Sequence, residues 1–177
     1  MQKIINDAMS ETLDMTVLGR ILPPFCKVVR YDAILRAKTL ASILGNKTFL
    51  VVLFNVHDTK HRLLNKPGHF FCISQKSKRD GTVVFSSTGM SPDHEIFLTQ
   101  SDPKLLHRIL PKNYKYNNVE LQKGNDHNTC WRWMITFAHM HSDAINLQQF
   151  QKLFSNTSLH LDSPDQLVTA LTLLQLL

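Results

Sequence analysis

Cysteine is scarce in this chain: 177 residues hold only Cys26, Cys72 and Cys130. An odd set with no Cys-x-x-Cys pair argues against a disulfide framework and a cysteine zinc site, and favours a reducing compartment. Also lacking is any apolar run of the roughly 18 to 20 residues that a bilayer span requires. The first stretch, MQKIINDAMSETLD, carries charges where the apolar centre of a secretory signal belongs. Neither secretion nor a membrane span is expected. Glycine and proline total 6 and 7 residues, scattered as punctuation, with no internal repeat and no long low-complexity stretch. One compact domain over residues 1–177 is therefore the expected organisation.

What is present suits a packed core. Hydrophobic residues make up 43% and charged residues 19% of the sequence, which excludes a largely disordered chain. Twenty Lys and Arg against 14 Asp and Glu give a net charge of +6, a balance that favours polyanionic partners. The basic run Lys76-Ser77-Lys78-Arg79 and the set Lys27, Arg30, Arg36 and Lys38 carry much of it. Solvated surface is the ordinary reading of both.

Periodicity divides the chain into helical ends and a stranded middle. Residues 3–15 have mixed helical spacing, Pro23 and Pro24 break the pattern, and Tyr31–Leu44 repeat near 3.6 residues before Gly45, a natural helix stop. Thr48–Val56, His69–Ser74 and Thr82–Ser87 are β-branched or aromatic and separated by polar turns, so they read as adjacent strands of a mainly antiparallel sheet. A helix is expected over Asp102–Leu110, a strand over Asn118–Gln122, and a helix over Cys130–His141 opened by capping side chains in Asn125–Thr129. Two more helices follow, Leu147–Phe154 and one from Ser163 onward, where Ser163-Pro164-Asp165-Gln166 reads as a capping box. The expected class is α+β.

This layout puts Cys130 at a helix N-terminus, where unpaired N–H groups and the helix dipole favour a thiolate. Cys72 falls within a strand and Cys26 after Pro-Pro-Phe, with no such support. A cysteine nucleophile needs a base, and His69 opens a strand just after Pro67-Gly68. His127, Cys130, His139 and His141 have no shared helical face, so no metal or cofactor is expected.

The order of PGHF at 67–70, VFSSTGMS at 84–91 and Gln122-x7-Cys130 resembles that of adenain-like cysteine proteases, over residues 17–170. That family runs histidine, acidic residue, glutamine, cysteine. Phe70 after His69, the seventeen-residue step to Ser86, Gly89 and Ser91 in register, and the apolar stretch after Cys130 are the matching features. The resemblance implies a papain-like, adenain-like fold with a central sheet flanked by helices. It also implies a virion maturation protease of an adenovirus, virophage or Polinton type, a hydrolase that processes viral structural precursor polypeptides. In this reading Cys130 attacks, His69 moves the proton and Gln122, with Asn125 as fallback, donates to the oxyanion. Ser86 stands where the family has Asp, Glu or Asn. Asp80, Asp93 and Glu95 are nearby acids that spacing does not rank, and Trp131 stands where the family has a glycine, with bulk expected to narrow the cleft or force a local shift.

The expected setting is the virion, the host cytoplasm or a viral factory, with a monomeric enzyme that touches DNA through its basic surface. A protease for ubiquitin or ubiquitin-like modifiers, and a catalytically weakened nucleic-acid-binding homologue, are the alternatives.

Overall fold

The computed structural model describes residues 2–11, 13–54, 68–77, 81–99, 101–123, 128–155 and 163–175. Among these, the chain folds as α1 (Gln2–Met9), α2 (Met15–Ile21), β1 (Cys26–Arg30), a 3-10 turn (Tyr31–Arg36), α3 (Leu40–Leu44), β2 (Phe49–Phe54), β3 (His69–Ser77) and β4 (Gly81–Phe85). It continues with α4 (Pro92–Leu98), α5 (Pro103–Ile109), β5 (Lys115–Tyr116), α6 (Cys130–Ser142), α7 (Leu147–Ser155) and α8 (Pro164–Gln175). The architecture is α+β: a five-stranded sheet in the order β1-β2-β3-β4-β5, with helices on both faces.

The sheet is mixed, a correction to the mainly antiparallel expectation. β2–β3 and β3–β4 pair antiparallel, but the edge pairs β1–β2 and β4–β5 are parallel. The central strands are covered on both faces, which explains the unbroken apolar run Phe49–Phe54. Phe49, Val51, Phe70, Cys72, Val83 and Phe85 face α2 and α6–α8, while Leu50, Val52, Phe54, Phe71, Ile73 and Val84 face the 3-10 turn and α3–α5. Burial on both sides is also why α6 is apolar around most of its girth, with Trp131 to Ala138 all buried.

Three other expectations shift. The helix over 31–44 is two pieces, because Ala37 is extended and Thr39 starts α3 afresh through a capping box with Ser42. The helix over 3–15 likewise breaks after α1 and restarts where the Asp14 side chain accepts from Thr16 N. Residues 118–122 are not a strand. The Asn117 side chain takes the ladder's place, donating to Ser86 O at 2.5 Å and Val119 O at 2.9 Å and accepting from Val119 N at 3.1 Å.

Candidate active site

His69 is the first residue of β3 and pairs with Phe54 at the end of β2. Gly68 before it has φ +106°, and a Cβ there would lie 2.6 Å from Leu53 Cδ1, so the sharp entry into the strand requires glycine. By alternation His69 shares the face of Phe71 and Ile73, on the side of α4. Cys130 comes from the opposite layer, as the first residue of α6. The two meet at the end of β3, where their side chains hydrogen-bond.

Behind His69 stands a chain of acceptors. Nε2 is 2.9 Å from Ser86 Oγ and 3.3 Å from Glu95 Oε1. The Ser86 hydroxyl donates to Glu95 Oε1, as does Thr88 Oγ1 at 2.6 Å. Since Ser86 gives its proton to the carboxylate, it accepts from His69 Nε2–H. That fixes the tautomer and leaves Nδ1 to the thiol.

Charge follows from this packing. Burial works against the His69 cation, but the Glu95 carboxylate and the hydrogen bond with Cys130 outweigh it and push the imidazole pKa up to about 10. Burial also opposes the Cys130 thiolate. His69, together with the backbone N–H groups of Phe70 and Trp131, nonetheless holds that thiol below its ordinary range. Both directions favour a thiolate–imidazolium pair, which titrates as a unit. Cys72 shows the contrast, since burial pushes its thiol well above the ordinary value.

Gln122 is fixed beside the same strand end. Its backbone N donates to Ser87 O at 3.0 Å, and its side-chain Oε1 accepts from Ser87 Oγ at 2.7 Å. The structure therefore joins His69 to Ser86 by a direct hydrogen bond, brings the Cys130 thiol against the imidazole, and holds Gln122 on the residue next to Ser86. Asn125 and Asp80 lie outside the described residues. Asp93 is turned away in an exposed ion pair with His107 at 2.8 Å.

Glu95 is thus the acid that spacing left unranked. Its signal was the local sequence Ser91-Pro92-Asp93: Ser91 caps α4, Pro92 takes its first turn, and Glu95 follows in that turn, buried. Trp131 is buried, and its indole N–H donates to Glu11 O at 3.2 Å, so its bulk packs under the amino-terminal segment. Thr129 precedes Cys130 without a side-chain cap bond, because its hydroxyl is given to Asp165 instead. Comparison with protein-family models and with curated proteins finds no match.

Proposed function

We propose that the protein is a cysteine endopeptidase with Cys130 as nucleophile and His69 as general base and acid. The observation that carries the reading is the Cys130–His69 hydrogen bond, backed by Ser86 and the buried Glu95 carboxylate. An imidazole held protonated by a buried carboxylate, beside a thiol at a helix N-terminus, is an arrangement suited to nucleophilic attack.

In the reaction, Cys130 Sγ adds to the scissile carbonyl carbon and the π pair moves to the carbonyl oxygen. In this reading the Gln122 side-chain amide and the Cys130 backbone N–H donate to that oxyanion. As the tetrahedral centre collapses, His69 gives its proton to the departing amine nitrogen and leaves a thioester. Neutral His69 then takes a proton from water, whose oxygen attacks the thioester and expels the thiolate. Ser86 and Glu95 hold the ring oriented throughout, and stabilise its charged form before attack and again once it has taken the proton from water. With the adenain-like order of His69, Gln122 and Cys130, the substrates are viral structural precursor polypeptides, cut during particle maturation in a papain-like, adenain-like fold.

The test is iodoacetamide alkylation of Cys130 from about pH 4 to 9, a range that brackets the thiol reference near 8.5. Fast labelling that persists well below the reference, and is lost in His69→Ala, supports the reading. Labelling that rises only near the reference and ignores His69 overturns it. Cleavage of capsid-precursor peptides against modifier fusions then fixes the substrate class.

A further inference from the structure

The buried carboxylate of Asp165 has no part in the chemistry above, yet it touches both sides of the stretch that separates Gln122 from Cys130. Asp165 lies in the first turn of α8, after Ser163 and Pro164, and is wholly buried. Its Oδ2 accepts from Lys123 N at 2.8 Å, which is the N–H of the Gln122–Lys123 peptide group. Its Oδ1 accepts from Thr129 Oγ1 at 2.5 Å and from Trp133 Nε1 at 3.0 Å. Thr129 precedes the nucleophile and Trp133 lies one turn beyond it. All three partners are donors, so only an acceptor-only carboxylate satisfies them together.

From these contacts we infer that Asp165 is a positioning residue, whose carboxylate fixes the Gln122–Lys123 peptide against the first turn of α6 and so aligns the oxyanion donors with Cys130. This rests on the peptidase reading of the site. Gln122 is then held from two directions: Ser87 fixes its backbone N and side-chain oxygen, and Asp165 fixes the peptide that follows. Cys130 depends less on Asp165, because α6 is packed into the core along its length and His69 reaches the thiol from another layer.

Asp165→Asn separates the two halves of the clamp. An amide oxygen can still serve Thr129 and Trp133, but its –NH2 then opposes the Lys123 N–H, and two donors repel. The probe is a peptide aldehyde ending in glycinal. Cys130 Sγ adds to the aldehyde carbon, the π pair passes to oxygen, and the imidazolium proton neutralises it, giving a hemithioacetal whose oxygen occupies the oxyanion position. Iodoacetamide attack is a displacement at carbon that forms no oxyanion.

Asp165→Asn is expected to leave the alkylation–pH profile within about twofold while weakening aldehyde binding about 10- to 100-fold, the scale of a misplaced oxyanion donor. Lys123→Pro removes the same N–H from an exposed residue while leaving the Asp165 carboxylate in place, and also fixes φ at 123 and restricts Gln122 to extended backbone; it is expected to repeat that split and serves if Asp165→Asn does not fold. Unchanged aldehyde affinity in these variants overturns the inference, as does an equal loss of alkylation and aldehyde binding. A wild-type thiol with an ordinary alkylation profile overturns instead the peptidase reading on which the inference rests.

Discussion

Glu95 Oε1 lies 3.3 Å from His69 Nε2, and its negative charge is the main reason the imidazole stays protonated despite burial. Glu95→Gln keeps the shape and removes the charge. The mutant thiol is expected to label like a more ordinary cysteine, with its alkylation profile displaced to higher pH. Ser86→Ala leaves the carboxylate in place and is expected to shift the profile less. An unshifted profile in Glu95→Gln would assign the role to Ser86 alone. Stability carries the same signature. A histidine whose folded pKa is raised stabilises fully below its unfolded value near 6.5, and the contribution is lost as pH climbs through the folded value, about 10 here. Cys130, shifted downward, opposes this slope; Cys130→Ser removes that opposition together with Cys130's own share of the upward shift, and leaves the part that Glu95 supplies. In that background the unfolding midpoint is expected to fall from about pH 6.5 upward, and adding Glu95→Gln to flatten the curve. Chemical denaturation across pH reads both. These residues also mark the limit of sequence reading. Cys130 and His69 were legible because a nucleophile at a helix start and a base at a strand start have local signals. The link between Ser86 and Glu95 spans a turn and a helix entry, and only the fold joins them.

At the scale of elements, the loop between β4 and α4 carries the acceptors of His69, and Gly89 shapes it. Gly89 has φ +71°, and a Cβ there would lie 2.5 Å from both Glu120 N and Val119 C. Gly45 has a comparable φ of +64° but open space around it. Gly45→Ala is therefore expected to cost about 1–2 kcal/mol from backbone strain, while Gly89→Ala costs more and also lowers the rate, since the 119–120 backbone and the Ser86–Glu95 loop must part. Equal destabilisation by thermal unfolding would show that the contact with 119–120 yields easily. The amino-terminal segment is a second such element. Asn128 N and Nδ2 donate to Met9 O and Ser10 O at 3.1 Å each, Trp131 Nε1 to Glu11 O, and Arg132 to Ala8 O and Glu11 Oε2. Glu11 is largely exposed, so Glu11→Ala is expected to cost only about 0–1 kcal/mol. Removing residues 1–11 strips the buried Arg132 of two acceptors, Ala8 O and Glu11 Oε2, and is expected to cost about 3 kcal/mol or more, with loss of Cys130 reactivity. Alkylation and denaturant titration on the two variants distinguish a strap from a loose end. Helices α5–α8 were legible from apolar period and caps, whereas α4 was passed over although Ser91-Pro92-Asp93 repeats the signal at Ser163-Pro164-Asp165. β5 escaped notice because two residues give no period, and its continuation was replaced by the bonds of one asparagine.

For the whole molecule, the net charge of +6 says less about a binding face than its size suggests. Lys27 Nζ donates to Ile43 O at 2.5 Å, Lys47 Nζ to Pro24 O at 2.6 Å, and Arg108 Nη2 to Ile34 O and Leu35 O at 2.7 and 2.9 Å. Arg132 is buried. Four of the 20 cations thus tie backbone carbonyls, and the upstream set Lys27, Arg30, Arg36 and Lys38 gives up Lys27. The side chains of the run at 76–79 lie outside the described residues. Duplex DNA is expected to bind weakly, with log affinity falling by about 0.9 per phosphate contact for each tenfold rise in salt. Fluorescence anisotropy between 50 and 200 mM salt measures that slope, and a flat dependence would remove DNA from the list of partners. No helix among the described residues is long and apolar enough to cross a membrane. The layered core was legible in composition and in the run Phe49–Phe54, but strand direction was not, because parallel edge pairing depends on crossovers that leave no mark in the strands.

The braces on the nucleophile come from distant parts of the chain: residues 8–11 hold Asn128, Trp131 and Arg132, and Asp165 holds Thr129 and Trp133. During synthesis a ribosome that has already delivered His69 and Cys130 has not yet delivered α8. The nascent polypeptide therefore carries Cys130 and His69 before the carboxylate that braces Thr129 and Trp133 exists, and that contact closes only once α8 has been made.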